Sequence, residues 1–331
     1  MLGVLTRRLL PLLQLTRMAL VFTAIADSWC EIFLQTKLHQ IAGASVFGGL
    51  QPLRMAIIAG ISGCLYGYGM SLNDIVDRRR DQTLASTRPL PSGRVALLTA
   101  HLTCALLGIA SVVGGLAYAM LFGDWMALVL VAWTGALISF YDFAGKYLVA
   151  PGLVTLGLIR LFHCLIPAGE VPLVWHPLWL FNHITIVSTI AYIWEDKRPT
   201  LRRGHLAGVV IGLLVVNGVG LTVLMRTENS WPQEIQRLLL PAIATLIFVG
   251  LAMWIRRTRT NPQEAGKALM FYGLLWLIIY DASFAMGYAG WTPALVILAL
   301  LPIAYLAVHV MRLWGKLMAL SQTPQFQRAR Q

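Results

Sequence analysis

The stretch GYGMSLNDIVDRRRDQTLASTRPLPSGR, residues 67–94, closes an apolar segment with a dense run of charge. It places Asp74, Asp77 and Asp81 among Arg78, Arg79, Arg80, Arg88 and Arg94. If the apolar helix continues through it, each residue advances ~100°, so Asp77 and Asp81 lie roughly 60° and 20° from Asp74. Three carboxylates on one helix face repel one another, and at membrane depth each costs roughly 2.5–3.5 kcal/mol. Cations, arginine partners or protonation must neutralise that face.

The rest of the chain is apolar. Of 331 residues, 58% are hydrophobic and only 12% charged, about half the charged share of a soluble domain. Runs near the ~20 residues that cross a bilayer as a helix recur at 18–36, 54–72, 95–117, 120–141, 150–169, 177–195, 205–225, 237–255, 268–287 and 291–311. This pattern predicts an all-α polytopic membrane protein, one integral-membrane unit over 1–331 with ten candidate spans. The alternating pattern of a membrane β-barrel is not supported. Of 26 Lys and Arg, Lys37, Arg54, Arg226 and Arg237 fall on one side of the spans, Arg160 falls inside one, and the others lie on the opposite side. The positive-inside rule then puts both termini and the acidic stretch in the cytoplasm, for which we expect a bacterial inner membrane. That topology also accounts for the net charge of +12 without a nucleic-acid partner.

Cys30, Cys64, Cys104 and Cys164 lie in or beside spans with no CxxC pair. They read as small core residues, implying neither disulfides nor a zinc site. MLGVLTRRLLPLLQLTRMAL at the start reads as an interfacial amphipathic helix. RRTRTNPQEAGK (256–267) reads as a basic loop and 318–331 as a tail.

Two readings fit the acidic face. In one, Arg78, Arg79, Arg80 and Arg88 pair with the acids in water, an arrangement worth little. In the other the acids hold Mg²⁺, which takes a few carboxylate oxygens, keeps waters and completes its shell with phosphate oxygens. Asn73 adds a neutral oxygen or an amide donor, and Arg88 offers a phosphate a bidentate fork. Pro89, Pro91 and Gly93 would fix the returning turn. Arg160, inside an apolar run, marks a site or a buried pair, with Asp142 or Glu195 as its partner. Asp27 and Glu31, four residues apart, either line a pocket or seal the bundle against Arg17 or Arg54. His101 and His163 read as core histidines with one hydrogen bond each, and Asp281 has no partner legible in the sequence. Tyr66, Tyr68, Tyr141 and Trp194 sit at span ends, as an interfacial belt or an aromatic pocket would.

NDIVDRRRD resembles the first aspartate-rich motif of the UbiA superfamily of intramembrane prenyltransferases, and RPLPSG the segment that follows it. TRMALVFTAIADSWCE resembles the first family helix, with Arg17 and Asp27 at its polar positions. ISFYDFAGKYLVAPGLVTLGLIRLFHCLIPAG resembles the block that supplies a tyrosine, a lysine and an arginine, here Tyr141, Lys146 and Arg160. The likeness covers roughly residues 15–200. Where the family carries a second motif, DxxxD, this chain reads AYIWEDKRPTLRRG with Glu195 and Asp196 adjacent. Glu195 keeps the phase of the span, as in the EboC-like branch. Family members typically have nine spans, which leaves 291–311 as an extra helix.

The resemblance implies a helical bundle with a cytoplasmic polar cap over a central cavity. It implies Mg²⁺-dependent transfer of an isoprenyl chain from a prenyl diphosphate to an aromatic or other amphipathic acceptor within the membrane. Asp74, Asp77 and Asp81 would hold the metal, with Asn73 orienting the first acid and Glu195 holding a second ion. Arg88, Lys146 and Lys197 would bind diphosphate, and Arg160 and Tyr141 would join Asp74 and Asp77 in catalysis. Arg17, Asp27 and Asp196 would line the acceptor pocket. The imperfect second motif motivates an alternative, a UbiA-like membrane protein that binds or transports a lipid or metabolite without prenyl transfer.

Overall fold

A computed structural model describes residues 11–38, 51–86, 88–169, 175–226 and 231–320. Every apolar run becomes a helix, because a backbone in lipid satisfies its own polar groups most simply that way. In chain order the helices are α1 (Val21–Leu38), α2 (Gln51–Val76), α3 (Arg78–Leu84), α4 (Leu97–Phe122), α5 (Trp125–Phe140), α6 (Ala150–Cys164), α7 (Trp175–Trp194), α8 (Arg203–Arg226), α9 (Trp231–Thr258), α10 (Pro262–Ala289), α11 (Trp291–Leu298) and α12 (Leu300–Leu320). Among the described residues there is no strand.

Among the described residues, seven helical segments are long and apolar enough to cross a membrane, and α6 is a shorter apolar helix. The chain is a multi-pass membrane protein. α1 and α7 are not among the seven, because their polar residues reduce their hydropathy. Those residues face protein: Thr23, Asp27, Glu31 and Gln35 of α1 are buried, as are His176 and His183 of α7. The lipid-facing surfaces of α4, α8 and α9 are apolar instead, with Leu98, Leu106, Leu214 and Leu246 exposed. The core runs from Ala26, Ile32 and Phe33 of α1 through Ile58, Ile61 and Leu65 of α2 to Ile278 and Phe284 of α10.

Packing is extensive between α2 and α4, α6 and α7, α7 and α10, and α1 and α10. At the α2–α4 crossing a side chain at Gly67 would press on Leu107, so glycine allows the approach. α4 and α5 reverse at Gly123, whose φ of 75° suits a left-handed cap, and Asp124 accepts a hydrogen bond from the Ala127 N–H at 3.2 Å. Asn261 caps α10 by accepting from the Gln263 N–H at 2.9 Å, with Pro262 in the first turn. The expected basic loop over 256–267 therefore shrinks to residues 259–261.

Residues 11–15 are helical, with Leu15 buried against Leu90, Val95 and Ala100; residues 1–10 of the expected amphipathic helix lie outside the described residues. The run 291–311 is two helices, α11 and α12, meeting at Ala299. It packs in the bundle against α1 and α10, with Ala294, Ile297, Leu300 and Ala304 in the core. Residues 321–331 of the tail lie outside the described residues.

Candidate active site

α2 hands over to α3 at Asp77, whose φ of −80° and ψ of 0° bend the chain slightly. The hydrogen-bond ladder nevertheless continues, Asp77 N–H to Asn73 O and Asp81 N–H to Asp77 O, both at 2.9 Å. That continuity keeps Asp74, Asp77 and Asp81 together, and all three are buried. Burial of like charge demands counter-charge, and the structure supplies it both from the same stretch, Arg80 and Arg88, and from distant parts of the chain, Arg17 and Lys146. Asp74 meets Arg17 at 3.2 Å and Arg88 at 3.6 Å, and Arg88 also reaches Asp81 at 2.5 Å. Asp77 meets Arg80 at 2.9 Å and Lys146 at 2.8 Å, while Lys146 lies 3.6 Å from Asp142. The acids thus sort into two pairs, Asp74 with Asp81 on Arg88, and Asp77 with Asp142 on Lys146.

The π-helical turn Tyr141–Gly145 brings in the second pair. One extra residue per turn shifts the phase of α5 and turns Asp142 inward, a device common at functional sites. Lys146 opens a single helical turn that ends at Val149, held at φ 59°. A β-branched residue in this region stores about 1–3 kcal/mol of strain. Gly152 answers it, because a side chain there would run into the Gly145 carbonyl. Tyr141 is half-buried, within the electrostatic reach of Asp142, Asp77 and Arg80, and Tyr192 of α7 also lies within reach of Arg80.

Arg160 is buried and gives one N–H to Asp27 at 2.5 Å and another to Thr23 Oγ1 at 2.8 Å. Its partner is Asp27, neither Asp142 nor Glu195. Arg17 and Arg54, expected against Asp27 or Glu31, go elsewhere: Arg17 to Asp74, and Arg54 to the Tyr118 hydroxyl and the Pro167 carbonyl. Tyr66 lies between the fields of Arg17 and Arg160, linking the acid-rich end to the interior. Tyr68 instead bonds Ser139 at 2.8 Å, and Trp194 stacks under Arg256. His163 is buried and hydrogen-bonded to Ser62 at 3.0 Å, while His101 is exposed.

The residues of the divergent second motif do not join this cluster through hydrogen bonds or ion pairs among the described residues. Glu195 pairs with Lys197 at 3.4 Å and leans over Gly266 of α10. Asp196 is exposed at φ 47° and pairs with Arg198 at 3.9 Å. Asn73 contributes its carbonyl to the ladder. Arg80 pairs with Asp77 and Arg88 with Asp81, as the first reading of the acidic face expects; Asp142, expected against Arg160, joins the acids through Lys146 instead, since a π turn leaves no trace in a 3.6-residue period. His176 was missed, although Thr23, Asp27, Glu31 and Gln35, spaced four apart, mark a polar interior face it could have been placed against.

The chemistry of the donor set suits Mg²⁺. Hard carboxylate oxygens converge from two helix ends, and Arg17 and Arg88, which neutralise Asp74 and Asp81, are only partly buried. A cation could replace them at the carboxylates, since the displaced guanidinium groups, about a third exposed, can be solvated.

The UbiA prenyltransferase family model matches residues 41–278. A solved structure of digeranylgeranylglyceryl phosphate synthase is similar at 20% identity, covering 86% of this chain and 99% of that one with a TM-score of 0.57. A UbiA homologue from Archaeoglobus fulgidus, solved with GPP and Mg²⁺, aligns at 13% identity over 91% of this chain and 98% of its own, with a TM-score of 0.44. No curated protein matches the sequence. With well over half its length matched by that family model, on the helical scaffold that carries the acidic motif, the chain belongs to the UbiA prenyltransferase family.

Proposed function

We propose that the chain transfers an isoprenyl group from a prenyl diphosphate to an aromatic or other amphipathic acceptor within the membrane, with Mg²⁺ at the acid-rich end. The observation that carries this reading is the set of buried carboxylates, Asp74, Asp77, Asp81 and Asp142, balanced by Arg17, Arg80, Arg88 and Lys146. Asp74, Asp77 and Asp81 would hold the metal, which supplies charge to the diphosphate oxygens as the allylic C–O bond breaks. Asn73, next to Asp74, would orient that first acid.

Arg88 and Arg17, displaced from Asp74 and Asp81, would turn to the phosphate oxygens as guanidinium forks. Lys146 would add a point charge from the Asp77 side. The C–O electron pair leaves with the diphosphate, and the allylic carbon is captured by the acceptor, which gives up a proton. Tyr66 and Tyr141 lie within the electrostatic reach of these charges, and their rings would shelter the developing cation from water. Arg160, fixed by Asp27 and Thr23, would set the electrostatic floor for the acceptor. Glu195 and Lys197 neutralise each other and would separate on substrate binding, Lys197 to diphosphate and Glu195 to a second ion, with Asp196 at the rim. The acid-rich end and both termini would face the cytoplasm of a bacterial inner membrane.

The test is purified full-length protein in micelles with geranyl, farnesyl or geranylgeranyl diphosphate, Mg²⁺ and a panel of acceptors. Pyrophosphate release or a prenylated product supports the reading; a diphosphate that neither binds nor turns over removes it. The Glu195–Lys197 pair favours a second reading, a protein that binds or carries a lipid or metabolite, which gains if the diphosphate binds without turnover on any acceptor.

A further inference from the structure

Further along α1 from the acid-rich end lies a second polar cluster that prenyl transfer does not use. Cys30 and Glu31 of α1, Cys164 of α6, His176 of α7 and Asp281 of α10 meet there, each fully buried. His176 faces a carboxylate with each ring nitrogen, Nδ1 at 3.0 Å from Glu31 Oε2 and Nε2 at 2.8 Å from Asp281 Oδ1. A neutral imidazole has one proton to give, so satisfying both contacts takes a second proton, on the ring or on one of the acids, or a metal ion in place of that proton.

The two sides differ. Glu31 is saturated, since its other oxygen accepts from Gln35 Nε2 at 3.0 Å. Asp281 is not: its carboxyl contacts the carboxyl of the neighbouring Asp27, and Asp281 Oδ2 and Asp27 Oδ1 are buried with no donor from another side chain, so the two acids need a shared proton or a cation. The Cys30 thiol donates to the Asp281 backbone carbonyl at 3.3 Å. The Cys30 sulfur, a His176 ring nitrogen and an Asp281 carboxylate oxygen all lie within 4.8 Å of one another.

Charge points the same way. Asp27, Glu31 and Asp281 are buried together, and among the described residues the fixed cation that pairs with them is Arg160, on Asp27. Uncompensated carboxylates are costly in the interior, and a dication supplies twice the charge of a proton on His176.

We propose that Cys30, His176 and Asp281 form a binding site for one thiophilic divalent ion of the zinc class, separate from the acid-rich end and independent of any prenyl transfer. A thiolate, an imidazole and a carboxylate are a zinc or cobalt donor set, whereas Mg²⁺ takes oxygen. Zinc bond lengths of about 2.0–2.3 Å place donors roughly 3.3–3.8 Å apart, so the 2.8 Å contact between His176 Nε2 and Asp281 Oδ1 must open slightly, while the three donors already lie within 4.8 Å of one another. Glu31 then accepts the proton on the remaining His176 nitrogen, the outer support that metal-bound histidines ordinarily have. On binding, the Cys30 thiol gives up its proton and the sulfur lone pair bonds the metal. The ion would staple α1, α7 and α10, three helices far apart in the sequence.

The experiment uses full-length protein in micelles, stripped with chelator and equilibrated with Zn²⁺ or Co²⁺ alone. About one zinc per chain after desalting is expected, with a raised midpoint of thermal unfolding. The cobalt form should show the near-ultraviolet thiolate-to-cobalt charge-transfer band. Cys30→Ser should lose the band and the zinc-dependent thermal shift, and Asp74→Asn should keep both. X-ray absorption of the wild-type zinc protein needs no variant, and a shell of sulfur with nitrogen and oxygen is expected. No retained metal, a band that survives Cys30→Ser, or an all-oxygen shell would each overturn the proposal.

Discussion

Asp74 is held by two guanidinium groups that come from opposite sides in the sequence, Arg17 before it and Arg88 after it. Replacing it with Asn keeps its volume and removes the charge that gathers both. Asp74→Asn should lower prenyl-diphosphate turnover by at least about 100-fold, the upper range for the outer partners of a metal site, read as pyrophosphate release under saturating Mg²⁺. Arg160 poses a different question, because its ion pair with Asp27 is buried. Arg160→Met strands the Asp27 carboxylate and should cost about 3–5 kcal/mol, whereas Arg160→Met combined with Asp27→Leu should cost much less. Chemical denaturation of both variants in micelles measures the difference, and equal losses would mean that the pair is not coupled.

At the level of elements, the join between α5 and α6 decides where Lys146 stands. The π turn at Tyr141–Gly145, the strained Val149 and the contact between Gly145 and Gly152 form one unit. Gly152→Ala pushes a methyl group into the Gly145 carbonyl, and overpacking of this kind costs about 1–3 kcal/mol. Because Lys146 rides on the same turn, the variant should also raise the KM for prenyl diphosphate more than it lowers kcat. Gly135→Ala, where a side chain meets open space, is the control and should change neither. Steady-state kinetics with thermal unfolding of both proteins checks this.

On the scale of the whole molecule, the bundle is apolar outside and sets clusters of buried polar groups into an apolar core. Leu246 on α9 is 72% exposed, so Leu246→Arg should weaken membrane insertion by about 2.5–3.5 kcal/mol, measured as the inserted fraction in a translocation assay. Orientation has its own test. Thr260→Cys, in the turn between α9 and α10, should react with a membrane-impermeant maleimide from the cytoplasmic face, and Trp125→Cys, at the start of α5, from the other face. Labelling in the reverse sense would invert the expected topology.

The sequence by itself determined the helices and the clustering of the three acids of the opening stretch. Apolar runs of bilayer length leave the backbone no alternative to a helix, and the three- and four-residue spacings of Asp74, Asp77 and Asp81 are local geometry that survived the bend at Asp77. Partners were another matter. Arg17 reaching Asp74, Lys146 reaching Asp77 and Arg160 reaching Asp27 depend on which helix faces cross, and lipid-facing and protein-facing residues in such runs are equally apolar. The π turn that delivers Asp142 follows no period readable from residue types. The meeting of Cys30, His176 and Asp281 joins residues up to 251 positions apart, so only the tertiary packing of α1, α7 and α10 could bring that chemistry together.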